Sequence, residues 1–544
     1  MIRINGAQAI VKCLERAGIE MIFGIPGLYN MPIFDALYHH PSIQVITVRH
    51  EQGAAFMADG YARASGKPAA IIPLPGPGLT NAMTGIGEAF SDSIPLLVLS
   101  TQVNQDSIDK DTGLLHEMTH QFDMLAPLTK YGERINQPAD IPVVFRRVME
   151  ALHNGRPRPV QIEIPRDIQV AMLDWPAEME SIPPAIRERP LPPGDQLDSV
   201  VEALLTSSRP LIYAGGGVIS SEASGELTGI AERLGAPVLT TGMGAGALPG
   251  DHPLACGVAW IASADIRPLV ATCDAFLAVG TRFNQGMTQG WDLSLPPLTV
   301  RIDIDTDEIE RNLPMQYKLI GDAKATLVAL NEKLAARGMY RRGQAAPELA
   351  HACEEFRGKL NQKMGGTFGW EQSLRKALAR NAILSCDMSL FWADMLGAFP
   401  IYEPRTSLFP WGFGTLGFGL PEAIGAKLSL PDREVVAICG DGAFLFTGME
   451  LATAVQYGLP IPIIVPNNNA YGMIKVQQRD QFDGQYMGVD LHNPDFVALG
   501  HAFGAKAELV TSPLGLEGAL RRAFSADKPT IIEIPWKWTW GNED

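Results

Sequence analysis

Runs of apolar, mostly β-branched residues recur along the chain at intervals that leave room for a helix between neighbours. In the first third they are IQVITV (43–48), AAIIPL (69–74), PLLVLS (95–100) and PVQIEI (159–164). The rhythm resumes at RPLIYAGGG (209–217), DAFLAVG (274–280), LTVRIDID (298–305), REVVAICGDG (433–442), IPIIVPNNN (461–469) and TIIEIP (530–535). Strands that are apolar on both faces and separated by helices predict parallel sheets covered on both sides, an α/β fold. The opening segment MIRINGAQAIVKCLERAGIE instead spaces Ala7, Ile10, Val11 and Leu14 at helical intervals and predicts an amphipathic helix. Two stretches break the rhythm. SIPPAIRERPLPPGDQ (181–196) carries five prolines, which fix φ and remove amide donors, so it predicts a stiff linker. ARGMYRRGQAAPELA (336–350) is polar and basic and predicts a second one. Three doubly wound parallel-sheet domains follow, over 1–180, 195–335 and 360–544.

Composition narrows the setting more than the chemistry. At 544 residues the chain is too long for a single core. A formal net charge of −16 argues against nucleic acid and anionic membrane surfaces as partners. Six cysteines (Cys13, Cys256, Cys273, Cys353, Cys386, Cys439) are scattered, mostly inside apolar runs and with no CxxC pair. That usage predicts free thiols in a reducing compartment, not a disulfide scaffold or a zinc site. The chain lacks a signal-peptide core and any apolar run of about 18 residues, so a cytoplasmic protein without a membrane span is expected.

Candidate chemistry begins at ICGDGAFLF (438–446), where an apolar strand ends in a carboxylate between two glycines. The helical stretch GMELATAVQYG (448–458) and the strand IPIIVP then lead to Asn467, Asn468 and Asn469. One βαβ crossover takes about thirty residues, so Asp441 and Asn468 are expected at the carboxyl ends of adjacent parallel strands. Ligands of open α/β sheets bind in that crevice. A carboxylate, an amide oxygen and a nearby main-chain carbonyl form an oxygen-only site suited to Mg²⁺, which keeps phosphate oxygens as further ligands. The amides of Gly442 and Ala443, opening a helix, are placed to receive those phosphates, with Gly442 leaving room for them. A second signal is VRHEQGAAFMADGYARASGKPA (48–69). Glu51 follows a strand and opens a helix of small residues, a surface onto which another backbone can pack very closely. A carboxyl in so crowded a place is either a helix N-terminal acid or a functional group.

Together these segments resemble the thiamine diphosphate enzyme superfamily, and within it the acetolactate synthase and 2-oxo acid decarboxylase group. The resemblance rests on FGIPGLYNMPIFDAL (23–37), RHEQGA, LPGPGLTNAMTGIGEAF (74–90), GTLGFGLPEAIGA (414–426) and the GDG…NN signature (440–468), in that order. It implies a pyrimidine-binding, a middle and a diphosphate-binding domain. It implies Mg²⁺ on Asp441, Asn468 and the main-chain carbonyl of Ala470. Glu51 would hydrogen-bond the aminopyrimidine and favour the tautomer that deprotonates the thiazolium C2. The carbonyl of Gly414 would meet the pyrimidine amino group, and Leu416 would prop the cofactor into its bent shape. Pro26, Gly27 and Asn81 match positions on the pyrimidine side. Ser389, Tyr471, Gly472, Met473 and Ile474 match further cofactor-binding positions. In this family the glutamate and the metal site come from different subunits, which implies a homodimer or homotetramer with the active site at the interface. The chemistry implied is non-oxidative decarboxylation of a 2-oxo acid through a C2 carbanion and enamine, with protonation or carboligation to an aldehyde or ketone acceptor deciding the product.

The sequence departs from its relatives where that decision is made. His116 and Glu117 stand in place of the Phe-Gln pair of acetolactate synthases, and Gln477 in place of their acceptor-pocket tryptophan. Leu28 replaces the acid of yeast-type pyruvate decarboxylases, and Leu74 the single histidine of benzoylformate decarboxylase. His116 and Glu117 are therefore the polar groups expected nearest C2, with His120 and Gln121 behind them. An imidazole there suits proton transfer, and Glu117 suits a basic group on a longer 2-oxo acid. Decarboxylases of guanidino-oxo acids are similar in the NNxxYGxIK and NPDFVALGHAFGA (493–505) segments. In the middle domain, VGTRFNQG (279–286) keeps Arg282 and Phe283 of the FAD-binding segment of acetolactate synthases but lacks its acidic pair and second arginine. FAD is thus supported only in part. The alternatives that remain are an FAD-containing acetolactate synthase-type carboligase and an acyloin lyase similar to benzaldehyde lyase.

Overall fold

The computed structural model describes residues 2–175, 187–260, 264–363 and 369–536. Three six-stranded sheets, all parallel, follow one another along the chain. The first has the order Gln44–Thr47, Met21–Gly24, Ala69–Ile72, Leu96–Gln102, Val160–Pro165, Tyr131–Arg134. The second runs Ala255–Val258, Val238–Thr240, Pro210–Ala214, Ala275–Val279, Leu298–Asp303, Tyr317–Ile320. The third runs Ser407–Leu408, Ile383–Cys386, Val435–Ile438, Pro462–Asn467, Thr530–Pro535, Lys506–Leu509. Each of the ten apolar runs holds a strand. The central strands are buried on both faces, as the absence of alternation required.

Three expectations change. The amphipathic helix begins only at Gly6 and runs to Arg16, because the Asn5 side chain accepts from the Gln8 amide (2.9 Å) and Gln8 reciprocates. Ile2–Asn5 pairs antiparallel with Met172–Trp175 instead. Ala7, Ile10, Val11 and Leu14 are fully buried, as their spacing demands. The second linker is shorter than expected, since Pro347 opens the helix Pro347–Lys363, which packs on the edge strand Ala255–Val258. Of the first linker, 181–186 lie outside the described residues. The third change concerns the thiols: Cys256 and Cys353 form a disulfide with Cα atoms 5.4 Å apart, tying that edge strand to that helix. Their separation of 97 residues carries no pairing signal in the sequence. Cys13, Cys273, Cys386 and Cys439 are free and buried.

The first and third sheets are joined by two helices, Glu51–Ser65 and Gly419–Ser429, packed against each other. Small residues make this contact, as expected of the first helix. A Cβ at Gly60 would lie 2.2 Å from the Glu422 carbonyl oxygen, and one at Gly425 only 1.8 Å from that of Met57. Phe56, Ala423 and Phe418 seal the interface in one continuous core. That packing sets the position of Glu51 relative to the third sheet.

Candidate active site

The strands Val435–Ile438 and Pro462–Asn467 are parallel neighbours, with Ala437 opposite Ile463 and Ile438 opposite Ile464. Asp441 and Asn468 therefore stand side by side at their carboxyl ends. Gly440 precedes the helix Asp441–Thr447, so the amides of Gly442 and Ala443 lie in its first turn. Asp441 is 3% exposed. Burial pushes its carboxyl up, and the partners that oppose this are neutral donors: the Gly442, Ala470 and Asn468 amides and the Asn493 side chain. Asn493 Nδ2 donates to Asp441 Oδ2 at 2.7 Å and to Asn467 Oδ1 at 3.0 Å. Among the described residues no ion pair reaches Asp441. A buried carboxylate with only neutral donors is incomplete electrostatically, and a divalent cation would complete it. Asn468 Oδ1 accepts from the Ala470 amide (3.2 Å), so the carboxylate, the amide oxygen and the Ala470 backbone meet in one place. This oxygen-only set fits Mg²⁺ and a diphosphate.

The other positions singled out for the diphosphate side lie around this point. Ser389 caps the helix Leu390–Met395, and its Cβ is 3.1 Å from a Cβ built at Gly440. Gly472 faces Asn468 and Leu390, and it opens the helix Gly472–Gln481 that carries Met473 and the exposed Ile474. A Cβ at Gly442 would meet the Tyr471 ring at 2.7 Å and Leu491 at 3.1 Å. Glycine is therefore required at 442 by the Tyr471 ring and Leu491, which occupy the space a side chain would need.

Glu51 is 9% exposed and opens its helix, capped by the His50 ring, which accepts from the Gln52 amide at 3.2 Å. Asn81 Nδ2 donates to Glu51 Oε2 at 3.0 Å. Among the described residues no donor reaches Oε1. Sequence reasoning missed what holds this turn. The buried Glu450 carboxylate accepts from the amides of Arg49 (3.1 Å) and His50 (3.0 Å). A Cβ at Gly53 would lie 2.3 Å from it. Nothing in the spacing of Glu450 along the chain signals that contact, which spans 400 residues.

Gly27 packs against Leu74, whose Cδ1 is 2.6 Å from a built Cβ. Its neighbour Pro26 completes the loop, which is pinned by the Asn30 side chain accepting from the Gly27 amide (2.7 Å). His116 adopts a left-handed φ of 64°. Its ring meets Tyr29 edge-on (centroids 5.8 Å apart), and its carbonyl oxygen lies 2.9 Å from a Cβ at Gly76. The Tyr29 hydroxyl donates to the Leu115 carbonyl at 2.7 Å and locks this loop to the first one. His116 is thereby seated beside the LPGPG turn. Glu117 is occupied differently: its carboxylate accepts from the amides of Thr112 and Leu114, both at 2.9 Å, and these bonds hold it below the usual carboxylate range. His120 is exposed, whereas Gln121 is buried and fixes the turn by accepting from the Gly76 amide at 2.8 Å.

A second crevice opens at the carboxyl ends of the middle sheet, with Arg63, Arg156, Arg187, Arg282 and Arg405 in its walls. The two FAD-segment residues that the sequence retains have structural roles here. Phe283 stacks on Tyr213 (5.9 Å) in the core, and Arg282 Nη2 donates to Ser91 of the first domain at 3.4 Å.

Comparison with known proteins agrees with this architecture. Residues 4–126, 197–330 and 388–534 match, in turn, the N-terminal TPP binding domain, the central domain and the C-terminal TPP binding domain of thiamine pyrophosphate enzymes. A probable acetolactate synthase large subunit of Methanocaldococcus jannaschii is 35% identical, over 98% of this chain and 92% of its own. A probable 2-ketoarginine decarboxylase of Pseudomonas aeruginosa is 37% identical, over 98% and 94%. The acetolactate synthase large subunit of Corynebacterium glutamicum is 33% identical, over 98% and 87%.

Proposed function

The chain belongs to the thiamine diphosphate-dependent enzymes, in the group of acetolactate synthases and 2-oxo acid decarboxylases, and on that premise we propose that it decarboxylates a 2-oxo acid without oxidation. The observation that carries this reading is Glu51, a buried carboxyl with one oxygen held by Asn81 and the other without a protein donor among the described residues. Thiamine diphosphate, when bound, supplies a carbon nucleophile for the substrate carbonyl and a sink for the electrons left by CO₂.

The protein's part is to bind, orient and move protons. Asp441, Asn468 and the Ala470 carbonyl would hold Mg²⁺, and the Gly442 and Ala443 amides would donate to the phosphates of the bound cofactor. Pro26, Gly27 and Asn81 bound the pyrimidine side, and Gly414 and Leu416 face it from the third domain. Glu51 holds or releases a proton at the ring nitrogen, the role for which a buried carboxyl is suited. His116 is assigned the proton that ends the cycle: its backbone carbonyl lies against Gly76 of the LPGPG turn, and its ring is set edge-on to Tyr29. Glu117 acts by shaping that loop, since its carboxylate is taken up by Thr112 and Leu114. Two copies of the chain complete the site, as a homodimer or homotetramer. The units proposed are 1–180, 195–335 and 360–544, and no flavin step is included.

The acetolactate synthase relatives favour a second outcome at the same site, carboligation to an aldehyde or ketone acceptor in place of protonation. A panel of 2-oxo acids, including one bearing a guanidinium group as the Pseudomonas relative's name suggests, separates the two. CO₂ release without an acceptor supports decarboxylation, and CO₂ release only with an acceptor supports the ligase. Absence of both, in protein loaded with thiamine diphosphate and Mg²⁺, refutes the proposal. Glu51→Gln slows hydrogen–deuterium exchange at the bound cofactor's C2 by at least about a hundredfold, in the range of general-base contributions. Unchanged exchange removes Glu51 from its role.

A further inference from the structure

The segment 411–419 links the third sheet to the helix Gly419–Ser429, and its amides follow a regular pattern. Every second one donates to a buried carboxylate. The Trp411 amide donates to Asp92 Oδ2 (3.0 Å), Phe413 to Glu88 Oε1 (3.4 Å) and Thr415 to Glu88 Oε2 (3.2 Å). Gly417 then donates to Asp387 Oδ1 (3.2 Å) and Gly419 to Asp387 Oδ2 (3.0 Å). Glu88 and Asp92 are four residues apart on one face of the helix Pro77–Asp92. That spacing advances about 6 Å along a helix, close to the advance of two extended residues, so the pair matches alternate amides. Asp92 is also paired with Arg63 at 3.1 Å. Glu88 forms no ion pair among the described residues. Its bonds all go to the loop: the two amides and the Thr415 hydroxyl (2.9 Å).

Glu88 is 0% exposed, and burial pushes its carboxyl up to about 8. A carboxyl costs stability there, and the three loop donors offset that cost. Room is made for the arrangement as well, since a Cβ at Gly87 would lie 2.9 Å from the Phe413 ring. Gly414 has φ +71° and only Met388 within 4 Å of a built Cβ, so glycine is needed there for its backbone conformation. In a planar trans peptide the N–H of Thr415 and the C=O of Gly414 point in opposite directions. Anchoring the first on the helix Pro77–Asp92 aims the second away from that helix. A carboxyl oxygen accepting from that N–H also draws electron density toward the carbonyl oxygen and strengthens it as an acceptor.

We infer that Glu88 is a positioning residue for the cofactor: through Thr415 it orients and polarises the Gly414 carbonyl toward the aminopyrimidine and holds Leu416 in place beneath the ring. This rests on the proposed reading of Gly414 and Leu416 as cofactor contacts. A purely structural Glu88 would only join the first and third domains.

The test uses the full-length chain with Glu88→Ala, Glu88→Gln and Leu416→Ala. In cofactor-free protein, deuterium uptake across 411–419 rises in Glu88→Ala. With cofactor, the dissociation constant from tryptophan quenching rises by about tenfold or more, as expected when buried loop amides lose their acceptor. At saturating cofactor, C2 exchange still slows by about tenfold, and Glu88→Gln, which keeps one acceptor oxygen, slows it less. Wild-type C2 exchange in saturated Glu88→Ala overturns the inference whatever its melting temperature. Should Glu88→Ala fail to fold, Glu88→Gln decides: slowing of a few fold sustains the inference, and unchanged exchange overturns it. Leu416→Ala separates the two levels. If it impairs binding while the Glu88 variants do not, only the inference fails; if it too behaves as wild type, the reading of the loop fails with it.

Discussion

Gly425→Ala adds one methyl group at the tightest point between the helices Gly419–Ser429 and Glu51–Ser65. The added Cβ would lie 1.8 Å from the Met57 carbonyl oxygen, 2.7 Å from its carbon and 2.9 Å from the Tyr61 nitrogen. All three are backbone atoms of a helix, so no rotamer change relieves the contact. Restoring a normal separation of about 3.2 Å would require the helices to part by more than an ångström. Overpacking of this kind costs about 1–3 kcal/mol in cores that adapt, and this contact adapts poorly. Alanine's higher helix propensity returns about 1 kcal/mol. Because this contact cannot relax, the cost lies at or beyond the top of that range, and the net expectation is a loss of about 2 kcal/mol or more, a Tm lower by about 4 °C or more. Calorimetry of the cofactor-free chain reads this directly. Gly60→Ala, 2.2 Å from the Glu422 carbonyl oxygen, should move in the same direction. Gly358→Ala is the internal control, because nothing lies within 4 Å of its built Cβ. It should leave Tm unchanged or raise it. A Gly425→Ala chain that melts at or above the wild-type temperature, or a Gly358→Ala chain that falls as far, would refute the close-approach argument.

The remaining predictions concern the site. Asp441→Ala leaves Asn468 and the Ala470 carbonyl without a charged ligand, so Mg²⁺-dependent retention of thiamine diphosphate should be lost; a variant that still copurifies with cofactor contradicts the metal assignment. Asp387 is raised by burial from 3.8 to about 7. The folded carboxyl therefore keeps a proton that the unfolded chain has released, and its contribution to stability, full below the lower value, is lost as pH rises through the higher one. Across that window it removes at most about 1.4 kcal/mol per pH unit. Asp387→Asn should flatten the fall in Tm between those two pH values, and an equal fall in both proteins would contradict the assignment. Glu117→Ala breaks the bonds to Thr112 and Leu114, so KM should rise similarly for basic and neutral 2-oxo acids. A rise confined to a guanidino substrate would instead restore Glu117 as a recognition group.

The parallel sheets were legible because burial on both faces leaves a local mark, a short unbroken apolar run. The pairing of Asp441 with Asn468 was legible for a related reason, since a single crossover separates them and the parallel strands then set them side by side. Edge strands such as Tyr131–Arg134 and Lys506–Leu509 escaped notice because they are partly exposed and carry charge. The opening strand escaped because its partner lies some 170 residues later. Glu51 was recognised through its crowded neighbours, but the groups that hold its turn were not: Glu450 reaches Arg49 and His50 across 400 residues. Asn493 reaches Asp441 across 52, and Glu88 reaches Thr415 across 327.

The sequence by itself determined the α/β class and the cofactor family, and it supplied the residues proposed to hold the cofactor, because these depend on periodicity and on motifs contained within one or two elements. The tertiary structure alone decided which carboxylates hold those residues in place, that Glu117 closes its own loop, and that two of the six cysteines are joined. The carboxylate contacts follow from the packing of the first domain against the third, the disulfide from the packing of Pro347–Lys363 on the middle sheet, and the Glu117 bonds from the left-handed turns of its loop, which the sequence does not mark. Hydrogen bonds and disulfides form between atoms that meet in space, and distance along the chain leaves no trace of that meeting.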